Sequence, residues 1–415
     1  MMSLIKSENT NQMIPYNTYN RSVFEFDWNG VVKDTIINGV GFIPEIGPYL
    51  SFIISLFWRD TQVNIWSSIV ERLKEYVEER IVTAIRGILL GEMAQLQGKI
   101  ASVEAAFTDH PGSVEARDLY MSVNVILDSV HLQFTTFERK HNYQILPLYS
   151  TTILLQLMYW TMGIERRKEI GLNDNQVNEI QHNIDTLTKH AEEYISDLYS
   201  VELETQFNIS TPRNIATNVM NVHYHCGIHG MEYLEIVRNV HKNGTIGKSF
   251  YPKTLCYSTL FGYNTSQARI MALKDESERV QPIKPNMING RYNQIKSITG
   301  YDVRIGNTPR VGGIEITFEN GDTYHQGSRS GESKTIELNG RVIKSIETWG
   351  TDALDELMFT LDDGTLFKVG QRYSQNYHKF YADAHYIAGI FLSSDRRELV
   401  GQAANICIMF HRITS

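Results

Sequence analysis

Ile145-Leu146-Pro147-Leu148-Tyr149-Ser150-Thr151-Thr152-Ile153-Leu154-Leu155-Gln156-Leu157-Met158-Tyr159-Trp160-Thr161-Met162-Gly163 decides the fold of the first half of the chain. From Asn142 to Ile164 there is no Asp, Glu, Lys or Arg. Pro147 stands near the start, where a missing N–H costs little, and apolar residues point every way around the helical axis. A helix of that kind is the centre of a bundle or crosses a membrane.

The flanking segments answer a central helix. Upstream, after the turn Asp109-His110-Pro111-Gly112, Leu119, Val123, Ile126, Leu127, Val130, Phe134 and Phe137 repeat at steps of three and four. That spacing makes one stripe of a helix over 118–137, with Asp118, Ser122, Ser129, Gln133 and Thr136 lying off it. The polar knot Glu138-Arg139-Lys140-His141-Asn142 joins the two helices. Trp66, Ile69, Val70, Leu73, Val77, Ile81, Ala84, Ile85, Ile88 and Leu89 mark an earlier helix. Downstream, Asn173 and Gln176 have the spacing of a capping box. They precede the stripe Val177, Ile180, Ile184, Leu187, Ala191, Tyr194, Leu198, Val201. A last helix is expected over 212–240. Short loops between long helices imply antiparallel neighbours. The expected organisation is a polar arm over 1–28 and an antiparallel bundle over 29–243 built around helix 145–163. Within it, Ile36 to Trp58 is apolar but broken by Gly39, Gly41, Pro44, Gly47 and Pro48 into two short helices.

After Gly244 the pattern changes. Residues 244–290, with Gln281-Pro282-Ile283-Lys284-Pro285-Asn286, read as an extended connecting segment. In 291–415, Ile314, Ile316, Phe318, Asn320-Gly321, Tyr324 and Gly327 recur as Leu357, Phe359, Leu361, Asp363-Gly364, Phe367 and Gly370. Each copy is a period-two strand, an Asn-Gly or Asp-Gly turn and a returning strand. Ile295-Lys296-Ser297-Ile298 recurs as Ile343-Lys344-Ser345-Ile346, and a looser third copy appears at Ile387 to Ile390 and Ile406 to Phe410. Three related units predict three sheets about a pseudo-threefold axis, a β-prism.

Composition narrows the function. The 415 residues carry a formal net charge of -8, with 42% apolar and 21% charged residues. An acidic chain gains no counterion-release drive onto phosphates, so nucleic acid is set aside as a partner. No apolar signal segment follows Met1-Met2-Ser3, and Cys226, Cys256 and Cys407 are few and scattered. Synthesis in a cytosol with reduced thiols is the expectation; if the protein acts outside, it leaves by lysis or another route. Gly327-Ser328-Arg329-Ser330-Gly331 puts arginine where a nucleophile elbow needs serine. Gly247-Lys248-Ser249 lacks the first glycine of a P-loop, because Lys242 stands there. His225 and His229 are one turn apart with Cys226 between them, a weak metal-ligand spacing, but no glutamate directly follows His225 as a zinc protease requires. No cofactor and no enzymatic activity are expected.

Val40-Gly41-Phe42-Ile43-Pro44-Glu45-Ile46-Gly47-Pro48, Leu56-Phe57-Trp58 and Ile145-Leu146-Pro147-Leu148-Tyr149 resemble the first and central helices of the Cry δ-endotoxins. The whole chain from about residue 22 resembles the B component of the Pir-type (Photorhabdus insect-related) binary toxins. Gln281 to Met287, Thr335-Ile336-Glu337-Leu338-Asn339-Gly340 and His229-Gly230 with Glu232 carry that likeness. The resemblance implies a pore-forming bundle and a β-prism like Cry domain II, or like jacalin, that meets a host receptor, a glycan or glycoprotein. It also implies a small A-type partner subunit. Leu119, Val123, Ile126, Val130, Phe134, Leu148, Ile153, Leu154, Leu157 and Trp160 would then belong to a membrane-inserting hairpin, 118–163. Tyr301, Asp302, His325, Arg329, Trp349 and Tyr373 are the expected receptor or glycan contacts. Carrying Glu138, Arg139 and Lys140 through hydrocarbon would cost ~8–10 kcal/mol, so a lone monomer is not expected to insert readily. A lectin with a helical scaffold is the alternative; an esterase of the juvenile-hormone-esterase kind lacks its nucleophile.

Overall fold

The computed structural model of the chain describes residues 74, 77–209, 218, 222, 223, 225–243, 253–260, 287, 288, 291–350, 353–373, 377–381, 385–393, 401–403 and 405–412. The arm 1–28, the segment 36–58 and most of 244–290 lie outside them. The described helices are α1 (Glu79–Ile88), α2 (Ala94–Asp109), α3 (Val114–Gln133), α4 (Arg139–Gln144), α5 (Leu146–Glu165), α6 (Arg167–Ile170), α7 (Asp174–Ile209) and α8 (Glu232–Asn243). A π-turn, Leu89–Met93, joins α1 to α2, and a second, Gly227–Met231, runs into α8.

Helix boundaries follow local chemistry. Ser113 caps α3 by accepting from the Ala116 N–H at 3.0 Å. At the start of α7, Gln176 N–H donates to Asn173 Oδ1 and Asn173 N–H to Gln176 Oε1, both at 3.0 Å, a reciprocal capping box. Pro147 sits in the first turn of α5.

Helix α5 is the centre of the bundle. Every residue from Leu146 to Gly163 is buried, polar ones included. The Thr151 and Thr152 hydroxyls donate back to the carbonyls of Pro147 and Leu148, so they need no outside partner. Around α5 stand the buried stripes of α3 (Tyr120, Val123, Leu127, Val130) and α7 (Ile180, Ile184, Leu187, Ala191, Ile195, Leu198). Tyr120 and Tyr159 stack at 4.8 Å, and each hydroxyl donates to the other's carbonyl, at 3.4 and 3.3 Å. The stack fits because Gly163 has no side chain: a Cβ there would lie 1.8 Å from Tyr120 Oη. Gly163→Ala should therefore force the two helices apart and destabilise the bundle by about 1–3 kcal/mol, read as a lowered melting temperature.

The β region contains thirteen described strands. The first repeat folds as the sheet β6-β5-β4-β7, from β4 (Ile295–Ile305), β5 (Thr308–Phe318), β6 (Thr323–Gly327) and β7 (Glu332–Glu337). The second gives the same order, β10-β9-β8-β11, from β8 (Ile343–Gly350), β9 (Leu354–Leu361), β10 (Leu366–Gly370) and β11 (Tyr377–Tyr381). Gly321 and Gly364 take positive φ in the matching turns. The third unit is β12 (His385–Ser393) with β13 (Asn405–Arg412), joined to the second through Ile387 and Ile343. The inner faces meet in one core of Ile298, Ile316, Ile346, Phe359, Ile408 and Phe410. The chain is thus multidomain, helical first and β-prism-like second. The connecting segment needs a correction: β1 (Lys253–Leu260) lies within it and pairs antiparallel with β13. A strand there covers the edge that β13 would otherwise leave open. The short pair β2 (Met287–Ile288) and β3 (Arg291–Tyr292) stands apart.

Candidate membrane-inserting hairpin and recognition face

The anticipated hairpin 118–163 exists as α3, the short α4 and α5. Val123, Val130, Phe134, Leu148, Ile153, Leu154, Leu157 and Trp160 are buried, while Leu119 and Ile126 are half-buried against the same core. Besides the tyrosine stack, Gln156 Nε2 donates to Asp128 Oδ1 at 3.0 Å across α3 and α5. Burial raises the Asp128 carboxyl above its ordinary range. The outward face of α3 is mixed, with Val114, Val125 and Leu132 exposed beside Asp118 and Asp128.

The tip of the hairpin is held by charge. Lys140 Nζ lies 3.0 Å from Glu78 Oε1, Arg80 lies 2.9 Å from Glu78 and 3.1 Å from Glu138, and Arg139 pairs with Asp197 of α7. All three charges of the polar knot thus have partners on α7 or at the entry to α1. Hydrogen bonds from Lys140 and then Arg80 hold the Glu78 carboxyl down to about 2. A depressed carboxylate contributes above its unfolded value and stops contributing only as pH falls through its folded one. This clasp therefore keeps its charges in mild acid.

A second feature lies where the helices meet the β region. Around the π-turn, Ile228 packs into the β core, while a Cβ on Gly230 would stand 2.7 Å from Ile195 and 3.2 Å from Leu146. His223, His225, His229, Glu232, His378 and His385 are all buried there. His225 Nε2 is 2.7 Å from the Tyr143 carbonyl and its ring is 4.9 Å from that of His229. His223 meets the Tyr199 hydroxyl, and His385 Nε2 lies 3.3 Å from Glu232 Oε1. Burial pushes His223 and His225 down to about 4; burial, then neighbouring His223, pushes His378 down to about 3. Cys226 is buried, and burial raises its thiol far above its usual value. Among the described residues no group of three or more His, Cys, Asp or Glu is placed to hold a metal ion. His225, His229 and Cys226 are all buried in this junction.

The anticipated recognition residues fall into two groups. Tyr301 and His325 meet edge to face at 5.6 Å, and Arg329 beside them pairs with Glu315. Trp349 lies against Tyr377 at 5.3 Å, and exposed Tyr373 carries the Arg310 guanidinium 4.5 Å above its ring. Asp302 departs from expectation: it is buried, accepts from Gly370 N–H at 2.6 Å and pairs with Lys334, so it ties the first sheet to the second. Arg310, Glu347, Arg372, Tyr377, Lys379 and Tyr381 went unmarked in the sequence, although the alternation Tyr377-His378-Lys379-Phe380-Tyr381 could have flagged the last ones.

Residues 35–222 match the family described as delta endotoxin, N-terminal domain. No curated protein matches the chain. Among solved structures, PirB is similar at 26% identity with a TM-score of 0.71, over 94% of this chain and 95% of that one. This chain has the architecture of a Pir- and Cry-type toxin. The insecticidal delta-endotoxin Cry8Ea1 from Bacillus thuringiensis shares the fold at 12% identity, with a TM-score of 0.56 over 94% of this chain and 74% of that one. A Cry1Da tryptic core variant from Bacillus thuringiensis does so at 13%, with a TM-score of 0.58 over 93% and 74%. In that architecture α5 is the helix the others enclose. Among the described residues, no helix is long and apolar enough to cross a membrane. Ser150, Thr151, Thr152, Gln156 and Thr161 lower the hydropathy of α5, and all five are buried in the bundle.

Proposed function

We propose that the chain is the B subunit of a binary insecticidal pore-forming toxin. The β region engages the surface of a host gut cell, a small A-type subunit associates, and the α3–α5 hairpin enters the membrane with α5 toward lipid and α3 toward water. One observation carries this reading: a central helix without charge from Leu146 to Ile164 is bonded to α3 as a unit, and the charged tip that opposes insertion is clasped to neighbouring elements rather than buried. Similarity to PirB over nearly the whole of both chains supports the two-subunit form. The producing cell is proposed to be bacterial, with the protein released to act outside it.

The test is dye leakage from insect midgut membrane vesicles, first with this protein alone and then with an equimolar small A-type subunit. Leakage that needs both is the expected result. Equal leakage with either composition removes the binary reading, and none in both removes the pore.

A further inference from the structure

One short stretch of chain sends its side chains into two different cores. Cys226 and Tyr233 pack in the bundle, and Ile228 between them packs among the strands. Among the described residues, Ile228 is the one helical side chain in the β core. The π-turn Gly227–Met231 permits this change of side: the Glu232 N–H donates to the Gly227 carbonyl, five residues back rather than four. A π-turn holds one residue more than an α-turn. Its return to regular helix would rotate the residues before it by about 100° against those after it.

The same stretch grips both halves of the molecule. Toward the strands, Ile228 enters their core and Glu232 Oε1 lies 3.3 Å from His385 Nε2 of β12. Toward the bundle, His225 Nε2–H donates to the Tyr143 carbonyl at 2.7 Å, and the two rings lie 4.4 Å apart. Tyr143 is in the last turn of α4, where helix carbonyls lack partners of their own. Gly230 sits directly on Leu146, the first residue of α5, with no room for a side chain between them. Helix α4 also carries Arg139 and Lys140, which close the clasp. The joint between α4 and α5 therefore rests on the π-turn, and the π-turn rests on the β core.

We infer that the π-turn Gly227–Met231 couples the β region to the hairpin tip, with Ile228 and His225 as positioning residues. Held by the strands, Ile228 keeps the turn in its π form, and the π form keeps His225 on Tyr143. When the β region shifts on meeting its target, Ile228 leaves the core, the turn becomes regular helix, and His225 swings off α4. The tip is then held by its clasp alone, and exposed ion pairs of that kind are weak. Coupling between distant parts needs an element with two discrete packings. A π-turn with one side chain in each core is such an element. The role given to the tip rests on the pore-forming reading; the coupling itself does not.

The test follows amide hydrogen exchange in the full chain by mass spectrometry, on peptides covering α4 and on peptides covering β8 and β9. Ile228→Ala should speed exchange in α4 about tenfold. Ile316→Ala deletes the same atoms from another wall of the same core and should leave α4 at the parent rate. His225→Phe keeps a ring and deletes the donor; it should speed α4 as Ile228→Ala does. The double variant should go no further than the faster single, because both cut one path. Circular dichroism checks folding, and Ile228→Val, a smaller deletion, replaces Ile228→Ala if that chain does not fold. An α4 rate unmoved by the Ile228 variant, or raised equally by Ile316→Ala, overturns the coupling, and so do additive effects in the double variant. Leakage is read separately. Faster α4 exchange in Ile228→Ala of a chain that never leaks keeps the coupling and removes the pore. Leakage by a chain whose α4 ignores Ile228 keeps the pore and removes the coupling.

Discussion

Dye release should fall to background when the hairpin tip is tied to α7. The design is Arg139→Cys with Asp197→Cys, bridged by a short bis-maleimide, and the unbridged double variant is the control. In the resting fold, Arg139 reaches the Asp197 carboxylate and also its backbone carbonyl, at 3.3 Å. Lys140 and Arg80 meet at Glu78 on the other side. For α3 and α5 to leave, these contacts must break along with the packing of α5 on α7, where Tyr149 and Tyr194 lie 4.4 Å apart. A covalent tie removes that route without touching the β region, so glycan or vesicle binding should be retained. The unbridged variant should leak at least as readily as the parent, because it has lost one pair of the clasp. Full leakage from the bridged protein would mean that the hairpin does not move.

The second large effect is a loss of stability in acid, set at the histidine junction. In the folded chain His223 and His225 stay neutral until pH falls to about 4, and His378 until about 3. Unfolded, each takes up a proton near 6.5. The unfolded state therefore binds more protons between those values, and stability must fall as pH drops from about 6.5 toward 4. Above 6.5 the full stability is present. At full protonation His223 and His225 each account for ~3 kcal/mol, and His378 adds less than its own shift because it acts on His223. Urea midpoints at pH 7.5 and pH 5 check this. A clear drop at pH 5 is expected, and His378→Leu should flatten it. A midpoint indifferent to pH in this range would remove these groups as acid-sensitive elements. The clasp weakens only in stronger acid, since Glu78 stays ionised to about 2. Mild acid should thus loosen the junction before it opens the tip.

How much of this could be read from the sequence depended on whether the signal was local. The uncharged run around Leu154 places α5 at the centre because no solvent-facing stripe exists. Asn173 and Gln176 carry their cap in the spacing, and Asn320-Gly321 and Asp363-Gly364 carry the two hairpin turns. Partnerships between distant residues left no such mark. Arg139 and Asp197 stand 58 positions apart and Lys140 and Glu78 stand 62 apart, and only the packed bundle brings them together. His225 and His229, with Cys226 between them, have a weak metal-ligand spacing in the sequence. The β strands bring His378 and His385 beside His223 and Glu232, which the sequence does not show. Asp302 looked like a loop contact because strand alternation does not reveal that its carboxylate serves the neighbouring sheet.

The pairing of β1 with β13 fixes an order of events during synthesis. β1 leaves the ribosome before the two repeats, but its partner is the last of the described strands to be made. Domains generally fold as units, the N-terminal ones first. The helices can therefore enclose α5, and close the clasp over its tip, while the β sheets still lack their final strand. In the proposed function, the recognising half is then completed only after the membrane-entering half is already sheathed, which would protect the cell that makes it.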